Sequence, residues 1–144
     1  GEQDLARQAY QHAAQVGLSN ASNVLKLARF LQREGQHHQA LDWLTRAIAV
    51  RPRADLWLEV ARVYRQRADR PQEMEALQEA LELEPDNVTA LFELGLAYKD
   101  RKAYQEAIEV LEKVITLQPK NEQAHKQLSA VLAMSLAGRI GRNR

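Results

Sequence analysis

Pro52, Pro85 and Pro119 stand at a nearly constant interval of about 34 residues. Each closes an apolar run at helical spacing, in "AIAVRPRADLWLEVARVY", "ALELEPDNVTALFELGLAY" and "VITLQPKNEQAHKQLSAVL". Proline fixes φ, donates no N–H and biases its predecessor away from helix, so each marks a helix end. A fixed period of this size means that one supersecondary unit is repeated, and this constrains the fold more than any local pattern does.

The period holds at many slots. Leu27, Val60, Leu94 and Leu128 recur at the interval of the prolines, each followed by a small residue: Ala28, Ala61, Gly95 and Ser129. Leu31, Tyr64, Tyr98 and Leu132 keep the same step. Later in each unit Leu44, Leu77 and Leu111 correspond, as do Ala47, Ala80 and Val114. Upstream, Ala6, Tyr10 and Ala13 each lie one period before Ala40, Leu44 and Ala47. The front half of each unit carries an i, i+3, i+4, i+7 stripe (Val24, Leu27, Ala28, Leu31), and so does the back half (Ala40, Leu44, Ala47, Ile48). That spacing predicts one amphipathic helix per half. The small residue predicts close approach of the two helices, where a larger side chain would overpack. Asn87, Asn121 and Asp55 are placed to cap the helix after each proline.

These residues resemble the tetratricopeptide repeat, whose signature of Trp, Leu-Gly, Tyr, Ala, Phe, Ala and Pro extends over about 34 residues. Val24, Leu27-Ala28, Leu31, Ala40, Leu44, Ala47 and Pro52 fill one copy. Trp57, Val60-Ala61, Tyr64, Leu77, Ala80 and Pro85 fill the next. Leu91, Leu94-Gly95, Tyr98, Ala107, Leu111, Val114 and Pro119 fill a third. Glu73 departs from the favoured Ala, and His125 stands in the Trp slot. The resemblance implies an all-α fold, a right-handed superhelix of antiparallel helix hairpins (an α-solenoid) with about seven helices. Residues 1–20 form an orphan back helix closed by Gly17. Repeats follow at 21–53, 54–87 and 88–121, then a last front or capping helix at 122–137 and a flexible basic tail at 138–144. Beginning and ending inside repeats, the chain reads as a fragment of a larger assembly protein.

Composition excludes several classes of function. The 144 residues are 45% apolar and 27% charged, an ordinary globular balance rather than a disordered one. A net charge of +1 supplies no global field for nucleic acid or an anionic membrane. The absence of Cys excludes disulfides and thiolate sites. Leu128 to Gly138 is the longest uncharged apolar run and is too short to cross a bilayer. The expectation is a soluble chain, with the cytoplasm favoured. His37 and His38 are neighbours in a turn and cannot share one site on a helix face. His125 reads as a half-buried packing residue, and Glu73, Glu75 and Glu79 as a solvated face. No nucleophile is accompanied by a base and an orienting group. No enzyme activity, metal site or cofactor is expected.

A binding surface is the remaining candidate. Repeat hairpins bind partners on a concave face, which the resemblance assigns to the front helices. Outside the core stripe these carry an apolar ladder of Leu25, Leu58 and Phe92, with Leu96, and a set of donors, Arg29, Arg62, Arg65 and Lys99. The ladder reads either as anchors for a peptide or as packing between repeats. Arginine forks suit carboxylates and peptide carbonyls. Residues 46–70 hold seven Arg against three acids, whereas 72–98 hold seven acids and no Lys or Arg. The Lys/Asn set with which some members of the family clamp acidic C-termini is missing, and Glu59 and Glu93 share the face. Phe92 alone is too little aromatic surface for base stacking, so nucleic acid is not an expected partner. The expected function is protein–protein interaction, as scaffold or adaptor, with an acidic or apolar peptide or protein segment as partner. The alternatives are a substrate-recruiting segment of a larger enzyme and a self-assembling structural array. The last helix, 122–137, is apolar around most of its circumference, so a homodimer through it is also expected.

Overall fold

In a computed structural model of the chain, residues 1–143 are described, and they fold into eight α-helices with no strand among them. These are α1 (Glu2–Val16), α2 (Ala21–Arg33), α3 (His37–Val50), α4 (Ala54–Gln66), α5 (Arg70–Leu83), α6 (Val88–Asp100), α7 (Tyr104–Leu117) and α8 (Glu122–Arg142). The all-α solenoid class holds, with eight helices where about seven were expected. The chain divides into two compact units, Gly1–Leu83 with α1 to α5 and Glu84–Arg144 with α6 to α8.

In the first unit α2 pairs with α3 and α4 with α5, while α1 lies against α2 and α3 against α4. The repeat stripes supply most of the core, with Val24, Leu27, Leu31, Leu44 and Leu77 fully buried, and Leu56 and Val63 of α4 are fully buried beside the half-buried Trp57 and Tyr64. Tyr10 of α1 meets Phe30 of α2 with ring centroids 5.8 Å apart. In the second unit α7 lies between α6 and α8. Ala107, Leu111 and Val131 form its buried centre, flanked by Phe92, Tyr98, Tyr104, Ile108 and Leu128. Gly95 shows why this slot is small. A Cβ there would stand 2.9 Å from Cγ of Leu111, closer than two carbons can sit without one moving.

The ends of the front helices share one device. Gly35, Ala68 and Lys102 all have positive φ (73°, 57° and 60°) and recur at the step of the repeat. The next N–H then bonds back across the turn, from Gln36 to Leu31, from Asp69 to Tyr64 and from Ala103 to Tyr98, at 2.8–2.9 Å. This left-handed closure satisfies carbonyls at a helix end. At the starts, Asn20, Asn87 and Asn121 are N-caps, their side chains accepting from the N–H of Ser22, Ala90 and Ala124.

Four expectations are corrected. Asp55 does not cap α4; Arg53 is the cap residue, and Asp55 is held beside it by the Arg53 guanidinium at 2.9 and 3.1 Å. Glu73 is not part of a solvated face. It occupies the repeat's alanine slot, fully buried, because Arg65 and Arg70 donate to its two oxygens. His125 is exposed rather than half-buried, and its Nε2 lies 2.8 Å from the carbonyl of Pro119. Residues 138–142 are helical where a flexible tail was expected, because α8 runs on to Arg142. Leu136 falls one period after Lys102 but stays helical, since no helix docks after it among the described residues to offset the left-handed conformation. Arg144 lies outside the described residues.

Candidate peptide-binding surface

In the first unit the front helices α2 and α4 present a cavity of about 530 Å³ lined by Arg29, Gln32, Arg33, Glu59, Arg62, Arg65 and Gln66. Four arginines and one glutamate are thus among its lining residues. The helical period explains the grouping: Arg29, Gln32 and Arg33 share a face of α2, and Glu59, Arg62, Arg65 and Gln66 share one of α4.

Glu59 organises this surface. Its carboxylate is almost wholly buried yet accepts three hydrogen bonds. Arg29 Nε and Arg62 Nη1 donate to Oε2 at 3.1 and 3.2 Å, and Gln32 Nε2 donates to Oε1 at 2.9 Å. Charge-assisted donors of this kind offset the desolvation of a buried carboxylate. Arg65 turns to Glu73, with Nε 2.7 Å from Oε1. The arginines expected to receive an outside carboxylate therefore already hold internal ones. Arg29, Arg62 and Arg65 keep between a third and just over half of their side-chain surface exposed, so each guanidinium also faces the cavity.

The apolar ladder divides. Leu25 and Leu58 are buried in the packing of the first unit and offer little surface to a ligand. Phe92 is half-buried and lines a separate cavity of about 320 Å³ in the second unit, with Val88, Thr89, Glu93, Gln118, Asn121 and Gln123. Leu96 is half-buried on the same helix. Lys99 donates to Oε1 of Gln127 on α8 at 2.7 Å. That bond repeats the one from Gln32 to Glu59, since Lys99 and Gln127 are the equivalents two repeats on. A polar bridge from one front helix to the next thus occurs within both units. Its sequence signal is a donor or amide at one slot and an acceptor 27 or 28 residues later. Among the described residues no group of His, Cys, Asp or Glu could hold a metal ion, and no helix is long and apolar enough to cross a membrane.

Comparison with known proteins agrees with the fold. A family profile described as tetratricopeptide repeat matches residues 75–122. The chain is thus similar to tetratricopeptide-repeat proteins, through this matched segment and through its fold. It is 40% identical over 92 residues to bacteriophage adsorption protein A of Escherichia coli (strain K12); the match covers 62% of this chain and 9% of that protein's length. Among solved structures, MamA superposes with a TM-score of 0.80 over 94% of this chain and 80% of its own, at 23% identity. The first tetratricopeptide-repeat domain of Spaghetti (RPAP3), bound to the HSP90 peptide SRMEEVD, gives 0.74 over 83% of this chain and 97% of its own, at 21% identity. YrrB, described as having an unusual peptide-binding site, gives 0.73 over 93% of this chain and 70% of its own, at 19% identity. At these identities the structures speak for the shared tetratricopeptide-repeat fold.

Proposed function

We propose that the chain is a protein-interaction module in which the arginine-lined cavity of the first unit takes an acidic segment of a partner protein. The carrying observation is the arginine-rich lining of that cavity, with Arg29, Arg33, Arg62 and Arg65 against Glu59 in the lining and Glu73 behind Arg65. Glu59 and Glu73 hold three of these arginines in place, so a ligand carboxylate meets donors whose side-chain entropy is already partly lost. Two of the structurally similar proteins are described as peptide-binding, which supports the same reading. The chain acts by binding rather than by catalysis, as scaffold or adaptor in a larger assembly.

An array of peptides graded from basic to acidic tests this, probed with the chain and with its Arg62→Glu variant at low and high salt. Retention of acidic peptides that is weakened at least tenfold by Arg62→Glu, and weakened by salt, is the expected result. Equal retention of acidic and neutral peptides, or equal retention by the variant, would overturn the proposal.

A further inference from the structure

The basic groove of the first unit is longer than the arginine-lined cavity. A second cavity, of about 310 Å³, lies at the starts of α2 and α4 and is lined in part by Ser22, Lys26, Arg29, Arg53 and Asp55. Arg29 lines both cavities, so they meet at its side chain. Together they follow α2 from Ser22 to Arg33 and α4 from Asp55 to Gln66. The helical period accounts for this. Ser22, Lys26, Arg29 and Arg33 fall at steps of four, three and four, and so do Asp55, Glu59, Arg62 and Gln66. Such steps make one stripe per helix, and the bond from Arg29 to Glu59 joins the two stripes across the groove.

Positive charge is not evenly available along it. In the middle, Arg29 and Arg62 both donate to Oε2 of Glu59. At the start of α4, Arg53 holds Asp55 through two bonds, at 2.9 and 3.1 Å. Lys26 and Arg33 differ from these. Both are exposed, and neither makes a hydrogen bond or ion pair with another described residue. Lys26 lines one cavity and Arg33 the other. They stand seven residues apart on α2, which is about two turns, or roughly 10 Å along the axis, on nearly the same face. Helical side chains lean towards the N-terminus, so the spacing of the two backbone positions carries over to the two cations.

We propose that the acidic partner segment lies lengthwise in this groove as a polyproline II strand, with two carboxylates three residues apart, one on Lys26 and one on Arg33. The inference rests on the acidic-peptide reading above and adds a register to it. Distance selects the form of the ligand. A polyproline II segment returns to the same face every third residue, after about 9 Å. A β-strand repeats a face at about 7 or 13 Å, to either side of the distance required. An α-helix repeats it at seven residues, but a helix with its side chains is about 10 Å wide, and Arg29 and Gln32 bridge the groove from wall to wall on Glu59. The two ligand residues between the carboxylates pass over the Arg29–Glu59 pair and are uncharged, since a carboxylate there would compete with Glu59 for Arg29.

A spacing series on the unmodified chain tests this. Fluorescence anisotropy is read at low salt for labelled peptides in one uncharged Ala/Pro/Ser background, each with two Glu residues set from one to seven positions apart, and for a peptide with a single Glu. Affinity is expected to be highest at a spacing of three, at least fivefold above spacings of two and five and above the single Glu. Exchange of charge then assigns the contacts. Arg33→Glu is expected to weaken the spacing-three peptide at least fivefold and to prefer the peptide in which one Glu is replaced by Lys. Lys26→Glu is expected to prefer the peptide with the other Glu replaced. Acidic peptides that bind equally at every spacing would overturn the register and leave the acidic-peptide reading standing. A maximum at another spacing would overturn it too, and one at seven would mark a helical ligand. Preference of both variants for the same exchanged peptide would likewise overturn it. Failure of every acidic peptide to bind would remove both readings.

Discussion

The Nε of Arg29 on α2 donates to Oε2 of Glu59 on α4 over 3.1 Å, joining the front helices of two successive repeats through a carboxylate whose side chain is only 3% exposed. The two partners are unequal. Arg29 is 55% exposed and can be hydrated once released, whereas Glu59 cannot. Removing the arginine leaves Glu59 with Arg62 and Gln32 and is expected to cost under about 1 kcal/mol. Glu59→Ala strips three donors at once and leaves Gln32 buried without its acceptor, so about 1–3 kcal/mol is expected. Urea titrations of the two variants check the order, and the reverse order would mean that the carboxylate is not the organising group.

Glu73 offers a test of coupling. It fills a slot occupied by Ala40 and Ala107 in the neighbouring repeats, and its buried carboxylate is satisfied by Arg65 at 2.7 Å and Arg70 at 2.9 Å. Arg65→Met leaves that carboxylate with fewer donors and is expected to destabilise by about 1–3 kcal/mol. Adding Glu73→Ala removes the buried charge and restores the common alanine, so the double variant is expected to be more stable than Arg65→Met alone. Such non-additivity is the mark of a shared network, and simple additivity in thermal melts would deny one.

Gly95 and Leu111 make the contact that sets the spacing of α6 and α7. Glycine inside a helix costs roughly 0.5–1 kcal/mol relative to alanine. Here that cost is offset, because an added Cβ would sit 2.9 Å from Cγ and 3.0 Å from Cδ2 of the fully buried Leu111. Cγ is the branch point of the side chain and cannot swing aside as a chain end could. Gly95→Ala is therefore expected to lower stability by about 1 kcal/mol despite the gain in propensity, and Gly95→Leu by about 1–3 kcal/mol or more. Denaturant midpoints decide, and an unchanged or raised midpoint for Gly95→Ala would show that α7 yields freely.

This contact was legible in the sequence, and the polar face was less so. The small slot at Ala28, Ala61, Gly95 and Ser129 recurs at a fixed step, and a recurring small residue between apolar stripes has few physical meanings besides close helix approach. Charged residues recur less faithfully. Lys26, Glu59, Glu93 and Gln127 share one slot but differ in sign and chemistry, so their periodicity does not say whether they meet solvent or each other. The burial of Glu59 and Glu73 depends on which arginine lies across the interface, which is a three-dimensional relation. The left-handed turn was hidden for a related reason: glycine marks it at position 35, but alanine and lysine occupy it at 68 and 102.

The turn and the α8 extension give a last prediction, in which one kind of exchange takes opposite signs by position. Lys102 holds φ at 60°, where a residue with a Cβ is disfavoured by roughly 1–2 kcal/mol. Its counterpart Gly35 adopts φ 73° at no such cost. Lys102→Gly is thus expected to stabilise the chain by up to about 1 kcal/mol, even though glycine gains entropy when unfolded. Gly138 and Gly141 lie in the regular last turns of α8, where an added Cβ meets nothing within 4 Å. Gly138→Ala and Gly141→Ala are therefore expected to strengthen the helix by about 0.5–1 kcal/mol each, the opposite of Gly95→Ala. Amide hydrogen exchange separates the effects, with slower exchange in the last two turns of α8 for the alanine variants and a global shift for Lys102→Gly. Unchanged protection after Gly138→Ala would mean that 138–142 is not held as helix in solution.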